Sequence, residues 1–485
     1  MPGIELSARR PGRPLLQRPL AVAFLLALGM DAASALSATS LPPPRAPDTV
    51  VTNCNDAGPG SLRDAIGSAS DGETLDLSQL ACSVISLDTG AILVGSQDLT
   101  LRGPGGHRLL LRMGGDWHES VIYDLAGGTL TIEGIDIAGG NKYSSDQAAG
   151  GGCVHASGDL VVSGAHVVDC AVHTGAGGSS GGALFANGFV TLIDTTIEQC
   201  RLVSQGQALG GGVFAGTGLA MVDSTISGCE VTTPSTGRGG GVYTGGNFTA
   251  KYSTLSGNDV GDTLSGSGGG AYTRGQVIVY WSTLSGNSAG SGGALYMAQG
   301  TGDASATLGA STISGNTART AGGIQARVPL TVRNSTIAFN WMPRPDSFPI
   351  GIAPTGGLSL MTAPVLVTSS IIAGNEMRGD TDEPSDVGGR FEVVVDGSAN
   401  LIGDSALDVP GDTVTGDPLL GPLRPNGGPT WTHALLPGSP ALDAGDGGSM
   451  SSDQRGNGFP RGIGARADIG AYERDPDRIF IAGFD

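Results

Sequence analysis

The sequence predicts an all-β chain: one single-stranded, right-handed parallel β-helix with a short N-terminal cap helix and an irregular C-terminal cap. Three observations carry that prediction. A six-residue segment recurs as AHVVDC, TTIEQC, STISGC, STLSGN, STLSGN, STISGN, STIAFN and SIIAGN. These copies end at Cys170, Cys200, Cys229, Asn258, Asn287, Asn316, Asn340 and Asn375, with spacings of 30, 29, 29, 29, 29, 24 and 35 residues. A Gly-Gly pair recurs in phase with it, starting at 151, 181, 211, 240, 269, 292, 322 and 356. The composition agrees: 84 glycines in 485 residues, 5% aromatic, 15% charged and 39% hydrophobic, which fits neither collagen nor a disordered chain.

The elements follow in chain order. Residues 1–35 read as a secretory signal: Arg9, Arg10, Arg13 and Arg18 are basic, Leu20 to Met30 are apolar, and Ala33-Ser34-Ala35 gives a cleavage site. The apolar run is too short to span a bilayer, and no later segment approaches the ~18 apolar residues of a membrane helix. Residues 36–48, with Leu41-Pro42-Pro43-Pro44, read as an extended linker. Export to the cell surface or the medium, as a monomer, is the expectation.

Residues 49–416 hold the windings. Ser61 is placed to N-cap a short helix whose Leu62, Ala65 and Ile66 cover the first coil. Each later coil carries two or three apolar runs too short for helices, with turn residues between them. The column Val167, Ile197, Ile226, Leu255, Leu284, Ile313, Ile337 and Ile372 has small or polar neighbours, the alternation of a strand with one buried face. One coil cannot bury that face alone. Stacking coils at about 4.8 Å packs like on like and pairs the backbones. The Asn that ends each segment suits a left-handed turn position and bonding to its stacked copy. Residues 417–473 lose the period and form the C-terminal cap, and 474–485 form a tail.

The formal charge is 26 − 45 = −19. That acidity disfavours phosphate backbones and anionic lipid, so nucleic acid is not an expected partner.

Motifs at both ends add a resemblance. Val50-Val51-Thr52-Asn53 followed by Asp56-Ala57-Gly58-Pro59-Gly60-Ser61-Leu62-Arg63-Asp64-Ala65-Ile66 resembles the start of bacterial secreted proteins with a CSLREA domain. Asp417-Pro418-Leu419-Leu420-Gly421, Asn426-Gly427-Gly428-Pro429-Thr430, Asp453-Gln454-Arg455-Gly456 and Asp468-Ile469-Gly470-Ala471-Tyr472-Glu473 resemble the choice-of-anchor Q domain. The middle coils look like polymorphic outer-membrane-protein and pectate-lyase-like β-helices. The resemblance spans nearly all of 50–473 and implies a secreted or surface location, mostly without an assigned reaction. The last residues, from Arg478 to Asp485, resemble short C-terminal tails on some exported bacterial proteins, which implies a sorting or anchoring role; the plainer expectation is a frayed polar tail.

Candidate chemistry is sparse. Asp194 and Asp223 share a column and are the best acidic pair for a lyase or hydrolase, but the column continues as Tyr252, Trp281, Ala310 and Asn334 with no basic residue in register. Tyr252 and Trp281 offer a stacking face for sugar, and Trp341, read as lying in the longest loop, is the best single contact. His155, His166 and His173 have spacings of 11 and 7, which match no metal-ligand pattern. No cofactor is expected; Asp443, Asp446, Asp453 and Asp468 are turn-forming residues with Ca²⁺ binding as the alternative. The function expected is a non-enzymatic exported surface for adhesion or glycan contact, and the alternative is a polysaccharide lyase or hydrolase.

Six cysteines in an exported chain point to disulfides. Cys54 and Cys82 flank the cap. Cys170–Cys229 spans two rungs, too far to bridge, whereas Cys153–Cys170 with Cys200–Cys229 would use the other four.

Overall fold

The computed structural model describes residues 49–476 except 262–264, 301–303, 346–350 and 449. The signal-peptide and linker segments and the last nine residues lie outside the described residues.

The described chain is a right-handed parallel β-helix of about twelve windings. Each winding gives strands to three main sheets. Sheet 1 runs from Thr49–Val50 to Val395–Ser398, sheet 2 from Val84–Leu87 to Leu401–Ile402, and sheet 3 from Ile92–Val94 to Val387–Arg390. Neighbours along each sheet are one winding apart, so like residues pair. Ile226 lies opposite Leu255, Leu255 opposite Leu284, and Ile313 opposite Ile337. The whole aliphatic column from Val167 to Ile372 is buried in one core.

The repeated segment earns its period twice. Its leading Ser forms a hydroxyl ladder: Ser253 N–H donates to Ser282 Oγ at 3.2 Å, and Ser282 N–H to Ser311 Oγ at 3.2 Å. Its terminal Asn forms an amide ladder. Asn287 Nδ2 donates to Asn316 Oδ1 at 2.9 Å and to Leu255 O at 3.0 Å, and the same pattern passes through Asn340 to Asn375. These amides point inward and are fully buried. The left-handed position is therefore not the Asn, as the sequence suggested, but the residue before it: Gly257, Gly286 and Gly315 have φ of 61°, 63° and 66°. Glycine adopts that φ without steric cost, which frees the Asn to face the core.

The N-terminal end is closed by α1, Leu62–Ser68. Ser61 Oγ accepts from Asp64 N–H at 3.2 Å, and Asp64 answers Gly60 N–H at 3.1 Å, a reciprocal cap. Leu62, Ala65 and Ile66 are buried against the first coil. At the far end Leu407 and Val409 pack on the core.

Residues 417–473 form an irregular module that lies lengthwise on the outer face of sheet 2 rather than only over its end. Thr283 Oγ1 donates to Trp431 O at 2.7 Å, Thr312 Oγ1 to Gln454 Oε1 at 2.6 Å, and Ala471 N–H to Thr336 Oγ1 at 3.1 Å. Leu435, Ala441, Ile469 and Tyr472 pack with Ile371 and Leu401 in a second apolar cluster.

Two cystine pairs form, Cys54–Cys82 and Cys153–Cys170, with Cα atoms 6.3 and 5.4 Å apart. The pairing of Cys200 with Cys229 is overturned: both are free, buried thiols. In-register neighbours in a parallel sheet project their Cβ atoms side by side at about 4.8 Å, outside the ~3.5–4.5 Å that a disulfide needs. Cys153 escapes this limit because it approaches Cys170 from another sheet of the same winding.

Candidate functional site

Sheet 3 is built largely from three-residue strands, so each buries its outer two residues and turns its middle one outward. In seven successive windings that middle residue carries a ring. The strands Ile122–Asp124, Val154–Ala156, Leu184–Ala186, Val213–Ala215, Val242–Thr244, Ala271–Thr273 and Leu295–Met297 present Tyr123, His155, Phe185, Phe214, Tyr243, Tyr272 and Tyr296. The register aligns each with the next. Ring centroids are 4.2, 4.5, 5.0, 5.3, 5.4 and 5.2 Å apart, with neighbouring planes within 12° of parallel. Six rungs make a stripe about 29 Å long. Each stacked pair adds roughly 0.5–1.5 kcal/mol beyond burial, which stiffens the stripe.

The stripe lies outside the core. Tyr243 and Tyr272 are nearly buried by flanking Leu209 and Ala298, while the other five rings are half-buried. Gly150 makes room for one of them, since a Cβ there would lie 2.7 Å from Phe185 Cδ2. Cations sit over the rings: Lys142 Nζ is 5.4 Å from the Tyr123 centroid, Arg238 5.1 Å from Tyr272, and Arg327 5.7 Å from Tyr296. The His155 ring nitrogen Nδ1 lies 3.1 Å from Gly150 O, so it holds the proton and leaves Nε2 as acceptor. Burial between two rings holds the imidazole below its ordinary pKa; the Gly150 carbonyl opposes this and Lys142 adds to it.

The residues singled out from sequence fall elsewhere. Asp194 and Asp223 are exposed, one rung apart, at left-handed turn positions with φ of 46° and 50°. Tyr252, Trp281, Ala310, Asn334, Ser369 and Ala399 continue that column at φ between 43° and 52°. Asp and Asn tolerate this backbone best, so the column is a turn by construction. Tyr252 and Trp281 do stack, at 4.9 Å and 9°. The C-terminal module overlies them, with Thr430 Oγ1 donating to Trp281 O at 3.0 Å and Gly456 against the Tyr252 ring.

Trp341 is not in a loop. It opens the strand Trp341–Pro343, paired with Thr317 and Glu376, and carries Arg378 4.7 Å above its ring. The ladder Asn340 fixes its winding, and an aromatic suits the strand that follows. The three histidines are dispersed: His155 is in the ring stripe, His166 lies 3.0 Å from Glu198, and His173 is in His166–Thr174. In the module, Asp453 grips Arg455 at 2.6 Å, while Asp468 accepts from Asp443 N–H and Arg474 N–H. Asp443 in turn accepts from Ala465 N–H at 3.1 Å, and the backbone oxygen of Asp446 takes the Ser369 hydroxyl. Among the described residues no group of three His, Cys, Asp or Glu is set to hold a metal ion. No helix among them is long and apolar enough to cross a membrane.

The ring stripe is legible in the spacing of its residues. Its members lie 32, 30, 29, 29, 29 and 24 residues apart, the beat of the Asn ladder, and six of them follow the start of a Gly-Gly pair by three or four residues. Alternation within three residues is too short to say which face a ring takes.

No family model matches the chain, and no curated protein or solved structure matches it either.

Proposed function

We propose that this chain is an exported, non-enzymatic β-solenoid that uses the ring stripe of sheet 3 as a platform for an extended polysaccharide. The single observation that carries the reading is seven parallel rings in one outward column, held at fixed spacing by backbone pairing. Rings already locked in place lose little entropy when a ligand lies on them, so a weak contact at each rung sums along the stripe. Export is supported by the sequence of residues 1–35, by two cystine pairs, and by the resemblance of both ends to CSLREA and choice-of-anchor Q domains.

The test is a polysaccharide-binding panel with the Phe185→Ala/Phe214→Ala variant. We expect at least tenfold weaker binding with unchanged far-UV spectrum. A Tyr296→Gln variant, which extends the polar rung of Gln325, guards against misfolding. Undiminished binding by both variants refutes the platform. The second reading, a lyase or hydrolase, draws on Asp194 and Asp223 one rung apart, close to the ~5–5.5 Å carboxylate separation of retaining glycosidases. Depolymerisation lost in Asp194→Ala or Asp223→Ala would favour it.

A further inference from the structure

We infer that the ladder takes an acidic polysaccharide, one bearing carboxylate or sulfate groups, whose charges meet Lys142, Arg238 and Arg327 while its sugars lie along the outward ring edges. This rests on the platform reading above and names the class of its ligand.

Charge placement is the argument. The chain carries 26 Lys and Arg against 45 Asp and Glu, so three cations gathered on one column stand against its overall charge. Some arginines on other faces stand opposite glutamates: Arg201 with Glu230, Arg344 with Glu383 and Arg390 with Glu392. Along the ladder, Lys142, Arg238 and Arg327 have ring faces on one side, and among the described residues no carboxylate within ion-pair distance. Burial holds the Tyr272 hydroxyl above its ordinary pKa, and the neighbouring Arg238 and Arg274, both cationic, oppose this. A cation over one ring is ordinary packing, worth about 0.5–1 kcal/mol at an exposed site. Three along a single column, near both of its ends and unpaired in an acidic chain, form a field pattern. The overall −19 does not cancel it, because exposed charges beyond about 8 Å are screened at physiological ionic strength.

The stripe also has the wrong chemistry for a neutral apolar partner. Its most buried rings, Tyr243 and Tyr272, keep hydroxyls, and the column ends in Gln325 and Ser359 rather than in further aliphatics. Leu93, at the opposite end of the same column, is exposed and pairs with Tyr123. An elongated amphipathic ligand with periodic negative charge matches that sequence of groups.

The experiment measures binding of the full chain to dextran sulfate, alginate and uncharged dextran by calorimetry, for the wild type, the triple variant Lys142→Gln/Arg238→Gln/Arg327→Gln, and Arg424→Gln as an exposed arginine off the ladder. We expect the wild type to prefer the charged polymers, and their ranking to say whether sulfate or carboxylate is the better fit. Each lost cation should weaken them roughly two- to fivefold, the triple tenfold or more, with Arg424→Gln unchanged. Equal affinity for dextran and dextran sulfate, or a triple variant that keeps the preference, overturns the inference and leaves the platform standing. Binding to none of the three polymers removes both. Far-UV spectra and melting temperatures of the variants confirm that each is folded.

Discussion

Asn316 shows how much one side chain holds in this fold. Its Oδ1 accepts from Asn287 N–H and Nδ2, both at 2.9 Å, while its own Nδ2 donates to Leu284 O and Asn340 Oδ1. Asn316→Ala strands donors below and acceptors above, and each buried unpaired group costs about 1–3 kcal/mol. We expect a loss of roughly 3 kcal/mol in urea unfolding; a loss under 1 kcal/mol would mean that water replaces the amide. The ladder ends on a carboxylate. Asp386 accepts from Asn375 N–H and Nδ2, both at 2.7 Å, yet burial pushes its carboxyl up to about 7, with the Asn375 hydrogen bonds opposing. The folded pKa exceeds the unfolded value, so the neutral acid is the favoured folded form. That stability is present in full below pH 4 and is lost as pH rises through about 7. Asp386→Asn keeps the acceptor without the charge. Its stability should be flat over this window and should exceed wild type at pH 8 by up to about 4 kcal/mol. Parallel pH profiles for the two proteins would contradict the assignment. The asparagines were readable as a ladder from their period; Asp386 was not, because it lies only 11 residues after Asn375 and breaks the beat that revealed the others.

At the scale of elements, short-range signals were legible and long-range docking was not. Ser61, Asp64 and the apolar Leu62, Ala65 and Ile66 specify α1 within eight residues, so sequence suffices. The motif Asp453-Gln454-Arg455-Gly456 was equally visible, but its partners lie far off in the chain. Gln454 Nε2 donates to Ser282 O and Thr283 Oγ1, and Oε1 accepts from Thr312. No period links these positions. Arg455 is buried, bonded to both Asp453 oxygens and to Glu473 O, with the Tyr472 ring 3.8 Å from its guanidinium carbon. Arg455→Ala leaves the Asp453 carboxylate buried with its main partner gone, a change that costs on the order of 3–5 kcal/mol. The solenoid does not depend on that pair, so limited proteolysis should clip the module of residues 417–473 first while the windings stay protected. Cleavage spread evenly along the chain would show that module and solenoid unfold as one. The thiols give a second check: alkylation should label none in the folded protein and two, Cys200 and Cys229, after denaturation without reductant, because both are buried and burial pushes the Cys200 thiol well up.

Across the whole solenoid the side faces divide the work. The later windings of sheet 2 are sealed by the C-terminal module, which buries Thr283, Thr312, Ser314 and Thr336, whereas sheet 3 leaves five of its seven rings half open. That division is set by which residue types alternate outward: small hydroxyls that a covering segment can bond, or rings that stack on one another. It makes the platform's length a testable quantity. If each rung adds a similar contact, affinity must grow with ligand length until the chain spans the stripe of about 29 Å, then level off. A size series of dextran sulfate oligosaccharides, measured by calorimetry, should show at least a tenfold gain between fragments covering two rungs and those spanning the whole stripe. The longest should also raise the melting temperature, since only the folded solenoid holds the rings in register. Affinity that saturates with a disaccharide would place recognition in one small pocket, and the ladder would then be packing alone.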